Sequence, residues 1–170
     1  AQFLINGLIF PDRTPSPGLI EYKKVLEPVQ TEAVDLKTGR VKLINRNDYR
    51  ALDYLTMSWQ VKADGKVLQQ GVMPTPRVKA RSTGTVTIPY DKPVGRPGTE
   101  YWLHISYTLS AGENWADAGF EVAWAQFKLP VRTPKAAAFT TAAMPPVAHQ
   151  DRGNTIVVTG ADFELVFDKI

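Results

Sequence analysis

The sequence predicts an all-β sandwich, and three observations carry that prediction. Residues 54–63 put Leu55, Met57, Trp59, Val61 and Ala63 on one face and Thr56, Ser58, Gln60 and Lys62 on the other. This is the two-residue period of a half-buried strand. Tyr101, Leu103, Ile105, Tyr107 and Leu109 repeat it, offset by His104, Ser106 and Thr108. Turn signals punctuate the stretch at 37–39 (Lys-Thr-Gly), Asn47-Asp48, Asp64-Gly65 and Pro97-Gly98.

The elements follow in order. Residues 1–27 open on an apolar run broken by Asn6-Gly7 and Pro11. Pro15-Ser16-Pro17 then leads into a short helix over 19–26, with Lys23 and Lys24 in its last turn and Pro28 where it stops. From 28 to 130 the chain reads as strands at 29–34, 40–45, 54–63, 66–73, 84–90, 101–109 and 120–129. Asp64-Gly65 suits a tight hairpin, because both positions tolerate positive φ. Seven strands in about one hundred residues is the pattern of an immunoglobulin-like or fibronectin-type sandwich. Trp59 sits where such a sandwich places a large core aromatic, and the chain has no cysteine to bracket it. Residues 131–153, rich in Pro, Ala and Thr, read as a linker. Residues 154–170 read as a hairpin with a turn at Gly160; two strands alone are marginal in water, so its remaining partners are expected past Ile170.

Composition narrows the function classes. At 44% apolar and 22% charged, the chain has the balance of a globular domain with a real core. No apolar run approaches the ~20 residues of a membrane span, so no membrane partner is expected. The net charge of +3 is scattered rather than clustered, and no nucleic-acid partner is expected either. Without cysteine there is neither a disulfide nor a thiolate-held zinc.

No catalytic constellation emerges. The two histidines, His104 and His149, fall on a strand and in the linker, and a shared site for them is not expected. Glu113, Asp117 and Glu121 cluster in sequence beside Trp115 and Trp124, on what reads as a loop rim rather than across a sugar cleft. Trp102, Trp115 and Trp124 are candidates for an interface with a neighbouring domain or for stacking on sugar rings.

Two motifs go further. The run FLINGLIFPDRTPSPGLIEYKKVLEPV, with Phe3, Asn6, Gly7, Leu8, Phe10, Asp12, Arg13, Thr14, Pro15 and Pro17, resembles the join after the catalytic barrel in large β-galactosidases of glycoside hydrolase family 2. Residues 114–127, NWADAGFEVAWAQF, resemble a second motif of that family, departing from it at Phe120, where histidine is usual. Asp162-Phe163-Glu164-Leu165 is similar to the opening of the family's last β-sandwich. The resemblance implies the end of a barrel (1–27), a complete immunoglobulin-like domain (28–130), a linker (131–153) and the first hairpin of the next domain (154–170). On this basis the chain is expected to be a non-catalytic segment of a longer, retaining enzyme acting on terminal β-galactosides, with its catalytic glutamates upstream. The resemblance further implies a homo-oligomeric parent that uses sodium and magnesium. It would have the Phe3 main-chain carbonyl and the Asn6 side-chain carbonyl as part of the sodium site. The flanking domains are the expected partners, and the alternative is a carbohydrate-binding or adhesion sandwich using the exposed tryptophans. Residues 1–27 are expected to be poorly ordered alone or to borrow a surface from the sandwich or a neighbouring molecule.

Overall fold

The computed structural model describes residues 7–135, 137–138 and 140–170. The chain forms two compact units, 1–135 and 136–170. Helix α1 (Pro17–Val25) precedes seven strands: β1 (Val29–Asp35), β2 (Arg40–Asn45), β3 (Leu55–Ala63), β4 (Lys66–Pro74), β5 (Thr83–Thr87), β6 (Tyr101–Leu109) and β7 (Glu121–Lys128). They make two antiparallel sheets, ordered β1-β2-β5 and β4-β3-β6-β7. This is the expected sandwich, with three strands facing four.

The alternation read from the sequence positions the core. Leu55, Met57, Trp59 and Val61 of β3 and Leu103, Ile105, Tyr107 and Leu109 of β6 are all buried, opposite Val29, Val41 and Leu43 of the other sheet. Asp64 and Gly65 take φ of 45° and 82°, so the β3–β4 hairpin turns as its sequence predicts. Trp59 lies over Gly71, its partner on β4, where a Cβ would sit 2.7 Å from the indole. Glycine is therefore required at 71 for room, not for backbone freedom.

Buried polar groups other than the Thr75 hydroxyl, which has no partner among the described residues, are paired within the fold. Asn45 donates to the carbonyls of Arg50 (2.8 Å) and Val78 (2.9 Å), while its own oxygen accepts from Asn47. The Tyr107 hydroxyl bonds Thr31 on β1 at 2.8 Å, joining the two sheets through the core. Tyr101, at the start of β6, donates to the Val94 carbonyl (2.9 Å) and accepts from the Arg96 N–H (3.1 Å). This is a tyrosine corner, a recurring feature of immunoglobulin-like sandwiches.

Ahead of the helix, residues 8–16 form a tight loop. Phe10 N–H bonds the Thr14 carbonyl (2.9 Å) and Ser16 N–H bonds that of Leu8 (3.0 Å). Asp12 accepts from both the hydroxyl (2.7 Å) and the N–H (3.0 Å) of Thr14, and the hydroxyl bond above all holds its carboxyl below the usual range. The Asp-Arg-Thr-Pro run is thus a self-contained turn, with Arg13 at φ 69°. Ser16 caps α1 by accepting from Leu19 N–H (3.3 Å), and Pro17 starts the helix.

The second unit is a three-stranded antiparallel sheet of β8 (Ala148–Asp151), β9 (Thr155–Thr159) and β10 (Glu164–Asp168), ordered β10-β9-β8. The 154–170 hairpin is there, and the segment expected as linker supplies its third strand. The Ala-His-Gln-Asp of β8 lacks β-branched residues, so its strand character comes from pairing with β9 rather than from propensity. Asp151 is drawn below its ordinary value by Lys169, whose ammonium bonds both its carboxylate oxygens (2.6 and 2.7 Å).

Candidate functional site

Of the residues singled out by sequence, Trp115, Phe120, Glu121 and Trp124 gather along one flank of the sandwich, where α1 meets β7 and the loop before it. No residue of α1 is buried. The helix is held instead by its two lysines and its last carbonyls. Lys24 bonds the Glu27 carboxylate (2.7 Å) and the Trp124 main-chain carbonyl, with its ammonium 4.3 Å from the Trp124 ring centroid. Lys23 places its ammonium 4.4 Å from the Phe120 centroid. Arg46 donates to the Val25 carbonyl at 2.6 Å, where the helix C-terminus favours a cation. Leu26, Glu27, Tyr54, Trp115, Phe120 and Val122 line a groove of about 440 Å³ on this flank.

The three tryptophans do not form one platform. Trp115, 64% exposed, lies on the 110–119 loop and meets Phe120 edge to face at 5.7 Å. Trp124 stands on the outer face of the four-stranded sheet, stacked on His104 at 6.1 Å and contacted by Lys24. Trp102 is on the same face, but it pairs with Lys128 whereas Trp124 pairs with Ser106, four residues farther along β6. That is about 13 Å along the strand. Trp102 donates to Glu100 (3.3 Å), which in turn pairs with Lys128.

Two of the three carboxylates near Trp115 and Trp124 are committed to structural contacts. Glu113 pairs with Arg50 at 2.7 Å, and Glu121 accepts from the Ser106 hydroxyl. Burial first, and then the charge of Lys62, keep the His104 imidazole below its ordinary value against the pull of Glu121. His149 lies on β8 in the second unit. Among the described residues no group of three or more His, Asp or Glu is placed to hold a metal ion. Phe3 and Asn6 lie outside the described residues. Sequence reasoning missed the lysine contacts of α1. Lys23 and Lys24 read as helix-end cations, and nothing in the sequence pairs them with aromatics a hundred residues away.

The family model for β-galactosidase, domain 4, matches residues 41–130, which is more than half of the chain and runs from β2 through β7. The chain belongs to the β-galactosidase domain 4 family. It is 34% identical over 169 residues to a β-galactosidase of Priestia megaterium, covering 99% of this chain and 16% of that protein. A β-galactosidase of Psychromonas ingrahamii is 32% identical over 171 residues, with the same coverage. One from Klebsiella pneumoniae is 33% identical over 129 residues, or 76% of this chain and 12% of that protein. The chain thus spans about a sixth or less of the length of these curated relatives. Within this domain 4 sandwich, Trp115 and Phe120 close the flank just ahead of β7.

Proposed function

We propose that this chain acts as the non-catalytic domain 4 of a family 2 β-galactosidase, spacing and bracing the domains on either side. In the complete enzyme, hydrolysis of terminal β-galactosides would proceed with retention, through glutamates outside this chain. The observation that carries this reading is the domain 4 match over the strands of the sandwich. It is supported by the carboxylates: Glu113 and Glu121 are tied to Arg50 and Ser106 and face no shared cleft. The groove beside α1 and the exposed Trp115 suit contact with a flanking domain. A homo-oligomeric parent, with sodium held partly by Phe3 and Asn6, belongs to the same proposal.

The test is direct. The purified 170 residues are offered a chromogenic β-galactoside beside a complete relative as positive control. The segment should be inert, and turnover by it would overturn the assignment. Retention is read separately, from the anomer first released by the complete enzyme in proton NMR. The rival reading, a carbohydrate-binding sandwich, is favoured only by the exposure of Trp115. A saturable quench of tryptophan fluorescence by galactosides, lost in Trp115→Ala, would establish it.

A further inference from the structure

At the end of the sandwich away from α1, the β3–β4 hairpin and the 92–99 segment enclose a cleft of about 590 Å³. Three cations line it: Lys66 from β4, and Lys92 and Arg96 from the opposite wall. Among the described residues none of the three is in an ion pair, and what sets them apart from other unpaired cations such as Lys37 and Lys79 is that they line one cleft. The single carboxylate lining the cleft, Asp64, already accepts from the Glu100 N–H at 2.9 Å.

The walls are fixed before any ligand arrives. Gln69 makes two bonds to the Asp91 backbone, donating to its carbonyl (2.9 Å) and accepting from its N–H (2.8 Å). The Tyr101 hydroxyl holds Val94 and Arg96. Gly95 packs so closely that a Cβ there would lie 2.2 Å from the Arg132 carbonyl oxygen. Three anchors on a six-residue stretch hold Lys92 and Arg96 in place opposite Lys66, so a ligand would have little backbone to order.

We propose that this cleft is a binding site for an extended, acidic polypeptide segment bearing two or more carboxylates. Charge complementarity selects the anion, since three unpaired cations converge on one concave surface. The lining selects the size and body of the ligand. Leu68 and Val94, both exposed, share the lining with the cations, and a chain with apolar as well as carboxylate groups covers them where a lone oxyanion does not. The proposal is independent of galactoside hydrolysis, and its readout contains none.

The test uses the 170-residue chain and fluorescein-labelled hexaglutamate, followed by fluorescence anisotropy. Saturable binding with one-to-one stoichiometry is expected, weakening as salt is raised. The double variant Lys92→Glu/Arg96→Glu should bind at least about tenfold more weakly. Lys79→Glu/Arg152→Glu, which changes the net charge equally but lies outside the cleft, should stay within about twofold. Both variants are checked for an unchanged thermal midpoint, and the altered side chains are exposed. No binding, or an equal loss in both variants, overturns the proposal. So does displacement of the peptide by inorganic phosphate at equal concentration, which would make the cleft a simple oxyanion site.

Discussion

In the sandwich, Met57, Leu103, Ile105 and Tyr107 are completely buried between two sheets, whereas in α1, a few residues upstream, no side chain is buried at all. The strands gain from area removed from water, which is large and cooperative. The helix is attached through two ammonium groups over aromatic rings, one ion pair and one arginine on a carbonyl. These contacts are individually small and partly screened by solvent. The same chain therefore carries one region that is stable by itself and one that is oriented more than it is stabilised. Such a helix presents Tyr22, Val25 and Leu26, all about half exposed, on a side that suits a covering neighbour, while Ile20 turns toward β7.

The contrast is broken most strongly from the core. Ile105→Ala removes a fully buried side chain from the centre of β6, and should cost about 2–5 kcal/mol of unfolding free energy, read from urea denaturation. Gly71→Val, which drives a side chain into the Trp59 ring, should cost about 1–3 kcal/mol by overpacking. If either variant were as stable as the parent chain, the sandwich core would not be the cooperative unit described here.

Tyr107→Phe tests the link between the two sheets. Loss of the Thr31 hydrogen bond should cost about 0.5–1.5 kcal/mol at neutral pH. The variant also has a pH signature. Burial above all raises the Tyr107 phenol, with the Glu27 charge acting the same way and the Thr31 bond opposing. The unfolded chain then releases the phenolic proton first, at about pH 10. The folded state binds more protons there, so stability falls as pH climbs from about 10 toward the raised folded value. Removing the hydroxyl should flatten that alkaline decline. An unchanged slope in urea midpoints measured on the alkaline side would argue against a buried, proton-retaining phenol.

Much of this was readable in the sequence, for a definite reason. The β3 and β6 alternation works because each strand has one face in the core and one in water, so period and burial coincide. Asp64-Gly65 and the Ser16-Pro17 helix start are equally local. What escaped was non-local or set by pairing. β8 is a strand through β9, not through its own residues. The β5 strand ends at Thr87 rather than at 90, with Pro89 unable to donate to the ladder. The tyrosine corner depends on a loop folding back onto Tyr101. At the candidate site, sequence found Trp102, Trp115 and Trp124 but gave no separation between them. That depends on the β6–β7 register, which runs regularly from the Trp102–Lys128 pair to the Ser106–Trp124 pair.

The smallest effect expected is on the helix, and its smallness is the point. Ser16→Ala removes the hydroxyl that caps Leu19 N–H, a loss of about 1 kcal/mol in helix stability. Because α1 buries nothing, that loss should not propagate. The urea midpoint of the sandwich should stay where it is, while amides of residues 20–25 exchange with solvent about fivefold faster. Lys24→Met should act in the same direction, by releasing Trp124 and leaving the buried Glu27 carboxylate without its ion-pair partner. A drop in the global midpoint with Ser16→Ala would mean that α1 and the sandwich unfold as one body. The helix would then be part of the domain's own fold rather than a face held out for a neighbour.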